Sequence, residues 1–305
     1  MQASFLMIEV LMNKKKRNCQ LSAYGYITPI LLIMIVFLGV SVLMSVVLSF
    51  TKYNILTPPQ FNELDNYTRM LTDKKFVKAL MNTLKVMVYI VPLQTVISLL
   101  VSVVIASKRN TWLGKLANIV IFIPVLSSNA VVGTVWKAIL NGHIEVVEKF
   151  FAFLGINCSM LLGDADSALL TVAMVSIWKN VGYYAVLYIS ALINISDHYY
   201  EAAKVDGAGR ISRFFYVTLP MLKPTTILVV FLGVTTSLQC FDIIYNLTGG
   251  GPAMGTTTLV FYVYDLCFKS GRAGYAMAVS NMLFLLILIT VVAQRKMMRK
   301  DASEI

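Results

Sequence analysis

The chain has 305 residues, of which 58% are hydrophobic and only 13% charged, with a mean hydropathy of +0.74. A single soluble core of this length cannot bury that much apolar surface, which excludes a soluble globular protein and makes lipid part of the solvent. The formal net charge of +11 comes largely from residues flanking apolar runs; with no continuous basic stripe, nucleic acid is excluded as a partner.

Lys14, Lys15, Lys16 and Arg17 stand before the first apolar run, 27–50. Its 24 uncharged residues exceed a signal-peptide core of about 7 to 15, so an uncleaved anchor is expected. Residues 1–13 are apolar but short, and both a surface-lying and a disordered segment are compatible with them. A helix needs about 20 apolar residues to cross a bilayer core while satisfying its own backbone. Runs 86–107, 116–136 and 273–294 meet this without a charge, whereas 167–193 carries Lys179 and 224–245 carries Asp242. The expected fold is therefore all-α and polytopic with six spans. It comprises an N-terminal segment (1–26), a transmembrane domain (27–293) and a C-terminal tail (294–305).

Lys108, Arg109 and Lys115 join the second run to the third, and Lys204, Arg210, Arg213 and Lys223 join the fourth to the fifth. Arg295, Lys296, Arg299 and Lys300 follow the sixth. With the N-terminal cluster, six spans place all of these on one side, and the positive-inside rule makes that side, with both termini, cytoplasmic. The opposite loops carry Glu63, Asp65, Asp73, Glu145, Glu148, Asp164, Asp166 and Asp265 and read as relatively acidic. Cys19, Cys158, Cys240 and Cys267 show no paired spacing, and His143 and His198 are expected on opposite sides. Neither a disulfide framework, nor a metal site, nor Ser-His-Asp chemistry is supported. There is no P-loop and no cofactor-binding glycine motif, so no cofactor is expected in this chain.

The cytoplasmic stretch 196–220 reads as two short helices. Ser196 or Asp197 can cap the first, Gly207 and Gly209 supply a stop, and a second runs from Ile211 to Thr218 before Pro220 ends it. On periodicity alone this is a solvated amphipathic loop. The order of residues goes further: Glu201-Ala202-Ala203, then Asp206-Gly207, then Val217-Thr218-Leu219-Pro220 resembles the EAA motif of permeases of binding-protein-dependent ABC importers. Val217 stands where that family usually has Ile, and Ile195-Ser196 where it often has Ile-Pro.

A second block, from Phe241-Asp242 through Leu247-Thr248-Gly249-Gly250-Gly251-Pro252, Thr256-Thr257-Thr258, Tyr262, Tyr264 and Phe268 to Gly274-Tyr275-Ala276, resembles the sugar-permease branch of that family. The pattern is that of partners related to the larger maltose permease and the first glycerol-phosphate permease. Trp136, Gly142, Trp178 and the run YEAAKVDGA fit the same branch, so the resemblance covers residues 20–295.

The resemblance implies the type I importer permease fold. It implies a coupling helix seated in an ABC ATPase dimer, where ATP and Mg2+ belong, with Glu201, Ala202, Ala203, Asp206, Gly207, Arg210, Leu219 and Pro220 at the contact. It further implies a second permease subunit completing a heterodimer, and an extracellular or periplasmic solute-binding protein docking near Gly249, Gly250, Gly251 and Pro252. Taken as residues, the glycine block is a surface turn.

Polar residues within the spans suggest a path. Ser176, Lys179 or Asn180, and Tyr183 recur at helical spacing, as do Gln239, Asp242 and Asn246. The resemblance places Ser176, Lys179, Asn180, Tyr183, Gly233, Thr236, Ser237 and Cys240 where the maltose permease meets its sugar. Interhelical hydrogen bonding explains such residues equally well. Lys179 stands out, because a mid-span charge costs about 2.5 to 3.5 kcal/mol. It can meet an anionic substrate, such as a uronic-acid oligosaccharide or phosphorylated glycerol, or pair with Asp242 or with the second permease. The leading expectation is a carbohydrate permease subunit. A secondary carrier or channel lacks support from internal repeats, and a membrane enzyme lacks paired carboxylates and suitable histidines.

Overall fold

A computed structural model describes residues 24–54, 56–141, 144–153, 155 and 160–302. The basic cluster at 14–17, residues 1–13, Cys19, Gly142, His143 and Cys158 lie outside the described residues. Four helices are long and apolar enough to cross a membrane, and the number rises to six if each of two bent pairs, Trp112–Leu126 with Asn129–Asn141 and Arg210–Met221 with Lys223–Leu238, is counted as one span.

The first span, Tyr24–Ser49, is exposed along its membrane-crossing window. It is held to the sixth by a polar pair, Ser45 Oγ donating to Asn281 Oδ1 at 3.0 Å and Asn281 Nδ2 to the Ser45 carbonyl at 3.3 Å. A hairpin (Thr51–Asn54 with Thr57–Phe61) follows, which the sequence reading did not anticipate. Gly274 lets it lie against the sixth span: a Cβ there would stand 2.1 Å from the Thr51 carbonyl oxygen.

The second span, Lys74–Ser107, begins twelve residues before the apolar run. Asp73 caps it through the Lys75 N–H at 2.9 Å, and Phe76 and Ala79 pack with Leu259, Tyr262 and Tyr275, so the helix persists past the hydrocarbon. Its 34 residues make a rod about 50 Å long. Tyr262 and Tyr275 donate to Asp73 Oδ2 at 2.6 and 2.8 Å. Burial works to raise the Asp73 pKa, but these hydroxyls and the Lys75 and Phe76 N–H groups outweigh it and hold the carboxyl below its ordinary value. A lowered carboxyl pKa contributes stability above the unfolded-state value and loses it as pH falls through the folded one. Asp73→Asn is expected to lower stability at pH 7 by about 1 kcal/mol and to flatten the acid limb of the thermal midpoint against pH.

The third run is not one straight helix. Trp112–Leu126 and Asn129–Asn141 meet at 97°. Ser127 is extended, and the Ser128 hydroxyl accepts from the Val131 N–H at 3.4 Å, restarting the chain as a new helix. The fourth span, Ala165–Ile193, capped by Asp164, is the most buried of the candidates and packs Leu169, Ala173 and Ile177 against Val86 and Ile90. Gly182 permits contact with the third run, since a Cβ would stand 2.2 Å from the Ile121 carbonyl oxygen.

The fifth run also departs from a single helix. Lys223–Leu238 stops, and Asp242–Leu247 begins after a three-residue break. Thr235, Thr236 and Ser237 all donate to carbonyls of their own helix just before the break, a competition that weakens the backbone ladder. The short helix Asp242–Leu247 packs on Asn129–Asn141 at Gly133, where a Cβ would meet Asn246 Cβ at 2.9 Å. Leu259–Tyr264 then leads to the sixth span, Ala273–Lys296.

Candidate translocation cavity and coupling surface

A cavity of about 150 Å3 lies beside the break in the fifth run. The fourth span supplies Ser176, Lys179 and Asn180; the fifth run supplies Thr236, Ser237, Gln239 and Cys240, with Asp242 opening the short helix. Eight of the ten residues expected along the path therefore meet around one space. Gly233 and Tyr183 do not line it. Gly233 faces the side chain of Gln94, whose Nε2 would lie 3.3 Å from an added Cβ. The Tyr183 ring is 42% exposed and stands edge-on to its neighbour Tyr184. Tyr184, 2% exposed, ties the fourth span to the fifth through Thr236 at 3.2 Å, and Tyr188 does the same through Thr226 at 3.1 Å.

Two polar lining residues lay beyond the sequence reading. Gln94 is 1% exposed, and its Nε2 has no hydrogen-bond partner among the described residues. Asn129, at the restart of the third run, reaches Asp242 Oδ2 at 3.5 Å. Gln94 shares a buried face with Ser98 and Ser102 at four-residue spacing, a pattern the sequence reading did not use, and Asn129 became visible only with the bend. Much of the remaining polarity is satisfied within helices, as Ser176 donates to the Val172 carbonyl and Asn180 to that of Ser176. Lys179 differs: it is 7% exposed and makes no ion pair or hydrogen bond among the described residues. The pairing with Asp242 entertained from sequence is thus not formed within this chain.

At the far end, Asp197–Val205 and Arg210–Met221 form a compact pair. The Ser196 hydroxyl caps the first through the His198 N–H. Gly207, at φ +77°, closes it with bonds from Gly207 N–H to the Lys204 carbonyl and from Ala208 N–H to that of Ala203, at 3.0 and 2.9 Å. This is the Schellman arrangement, and it needs a left-handed residue at that position. Pro220 does not end the second helix as expected but lies inside it. A π-helical turn, Phe214–Thr218, shifts the hydrogen-bond register just ahead of the proline.

The Tyr200 hydroxyl meets Thr218 Oγ1 at 3.1 Å and joins the two helices. Ile195 and Leu222 anchor them in the core that holds Tyr184 and Tyr188. Glu201, Ala202, Asp206, Arg210 and Pro220 are exposed, Ala203 and Leu219 half-buried. Glu201 stands 3.6 Å from His198 Nδ1. Val205, Ile211 and Tyr216 add exposed apolar surface at 88, 75 and 82%. After Leu222 the chain turns by 66° into Lys223–Leu238.

The glycine block is a rigid turn. Gly249 and Gly250 adopt φ of +62° and +85°. Thr257 donates to the Gly250 carbonyl, Thr256 to that of Gly251, and Thr258 to that of Cys240 beside the cavity. Lys78 and Asn82 of the second span donate to the carbonyls of Ala253 and Met254, both at 2.8 Å. The loops read from sequence as acidic also carry Lys52, Arg69, Lys74, Lys75, Lys78, Lys85, Lys149, Lys269 and Arg272 beside their eight carboxylates, so they are near neutral and acidic only relative to the basic flanks of the other side. Four of these lysines fall on the helical extension of the second span, beyond the apolar run used to place the loops.

A bundle of membrane-length helices with two broken spans, a polar cavity at one break and a rigid helix pair at one end defines a multi-pass membrane permease. The chain belongs to the family of binding-protein-dependent transport system inner membrane components, whose pattern matches residues 74–300; it is a transport component rather than an enzyme. It is 30% identical over 284 residues to a probable ABC transporter permease protein, YurN, of Bacillus subtilis, covering 92% of this chain and 97% of that protein. It is 32% identical over 272 residues to the multiple sugar-binding transport system permease protein MsmF of Streptococcus mutans, covering 88% and 92%. Its fold matches, with a TM-score of 0.80 and 22% identity over 93% of this chain and 96% of the other, a chain from a bacterial alginate ABC transporter in complex with alginate pentasaccharide-bound periplasmic protein.

Proposed function

We propose that this chain is one half of a heterodimeric permease in an ATP-driven importer of carbohydrates. The cavity around Lys179 carries this reading, because it gathers hydroxyl, amide and amino groups from four membrane segments at one point in the bundle. Such a lining suits a solute rich in hydroxyls. The names of relatives add support: MsmF is described as a sugar-binding system permease, and LacF of Rhizobium radiobacter, 31% identical over 280 residues, as a lactose transport system permease.

The helix pair Asp197–Met221 serves as the coupling surface for an ABC ATPase dimer, which holds the ATP and Mg2+; no cofactor belongs to this chain. Glu201 and Arg210 supply its polar contacts, Val205, Ile211 and Tyr216 its apolar ones. Its side of the membrane is cytoplasmic, as are both termini, and the glycine turn faces the solute-binding protein. Nucleotide binding closes the ATPase dimer and moves the pair as a rigid body, shifting the bundle between its two access states. Within carbohydrates, the unpaired Lys179 favours an anionic oligosaccharide over a neutral one, and over the glycerol-phosphate alternative the relatives' names give no support.

The complex reconstituted in proteoliposomes is expected to take up a labelled oligosaccharide only with enclosed ATP and an external binding protein. Equal uptake down a gradient without nucleotide would assign the chain to the secondary carriers instead.

A further inference from the structure

A second polar cavity, of about 480 Å3, opens at the other end of the second span from the coupling pair. It lies between the short helix Asp65–Thr72, the first turn of Lys74–Ser107 and the segment from Tyr262 to Arg272. The second span fixes its position. Ser107, at the end of that rod, lines a cytoplasmic pocket with Tyr200 and Thr218 of the coupling pair, so its start is some 50 Å away, across the membrane.

The charges of this cavity do not balance internally. Arg69, Lys74, Lys75 and Arg272 line it, all exposed. Of its two carboxylates, Asp73 is already held by two tyrosine hydroxyls, and Asp265 by Lys269 at 2.6 Å. None of the four cations makes an ion pair among the described residues; Arg69 stacks on the Tyr275 ring at 5.2 Å. The floor, in contrast, is fixed: Tyr262 and Leu266 belong to a buried core cluster with Phe76 and Tyr275. Met254, which follows the glycine turn, lines the wall, and Lys78 bonds the carbonyl next to it.

We propose that this cavity is the socket for an acidic side chain of the docked solute-binding protein, gripped by Lys74, Lys75 and Arg272. It rests on the reading that the outer end receives such a protein, and it adds a specific electrostatic contact to the glycine turn beside it. A protein carboxylate fits better than a sugar in transit, because this cavity and the one around Lys179 share no lining residue. Rim cations on a rigid floor steer and orient a partner, raising its rate of encounter and fixing its register.

The test uses the full transporter in nanodiscs and the sugar-loaded binding protein that activates the wild-type ATPase. Lys75→Glu combined with Arg272→Glu is expected to raise the half-saturating concentration of binding protein about tenfold or more and to weaken its salt dependence, leaving assembly and basal ATPase unchanged. The neutral pair Lys75→Gln with Arg272→Gln is expected to give a smaller shift in the same direction, and it decides the matter if the reversed pair does not assemble. An unchanged half-saturation in an assembled variant overturns the socket. So does a lower maximal rate at unchanged half-saturation, which would place these cations in the transport step. No activation of the wild-type complex by any binding protein would instead overturn the importer reading itself, and the socket with it.

Discussion

Gly207→Val is expected to lower ATP-driven uptake at least tenfold while the chain still inserts and the complex still assembles. Gly207 holds φ +77° at the end of Asp197–Val205, and nothing lies within 4 Å of an added Cβ, so the penalty is conformational rather than steric crowding. A left-handed backbone costs an L-residue about 1 to 2 kcal/mol, and a β-branched one more. The helix pair would relieve it by reopening the turn, losing the two bonds that close it and with them the fixed placement of the first helix against the second. A loosened pair cannot pass on a rigid-body movement. Glu201→Lys is expected to act at the contact itself, abolishing coupling without altering the turn. Uptake and ATPase measured on the same proteoliposomes check both, and uptake within twofold of wild type in both variants would remove the coupling assignment.

Lys179→Met is expected to cut uptake of uronic-acid oligosaccharides tenfold or more while sparing neutral ones of equal length. A lysine that is 7% exposed and lines the cavity makes no ion pair among the described residues, Asp242 of the same lining included, and a bound carboxylate would supply one. Removing the ammonium group removes that attraction and also the desolvation cost of holding the charge, so the protein itself should be no less stable. Competition between charged and neutral glycans for uptake reads the change in preference directly. Poorer assembly with unchanged preference would show that Lys179 instead pairs with the second permease subunit.

Composition and charge placement made the six-span bundle legible, because lipid imposes long apolar runs and basic flanks. The coupling pair was legible too, through Ser196 as a cap and Gly207 as a stop. What the sequence concealed were the breaks. Residues 116–136 and 224–245 are apolar enough to cross as single helices, yet Ser127-Ser128 and the run Thr235-Thr236-Ser237 give the backbone local alternatives that hydropathy does not weigh. Those breaks build the cavity, which explains why Asn129 was missed; Gln94 was missed although it heads a buried polar row with Ser98 and Ser102 at four-residue spacing. Tyr183 and Tyr184 adjoin in sequence; only packing reveals that the second of them is buried against the fifth run. Pro220 misled because a local widening of the helix can absorb a proline, and no residue type announces such a turn.

The second span touches every proposed site: its first turns border the outer cationic cavity and the glycine turn, Ile90 and Gln94 line the cavity around Lys179, and Ser107 shares a pocket with Tyr200 and Thr218 of the helix pair. Pro92, which cannot donate to the helix ladder, sits beside Gln94 near the rod's midpoint. The helix therefore has the form of a lever with its fulcrum at the polar cavity. A tilt of about 10° there would swing each tip by about 4 Å in opposite senses. Arrival of a partner outside and engagement of the motor inside would then be felt through one continuous backbone, with no relay of side chains between them.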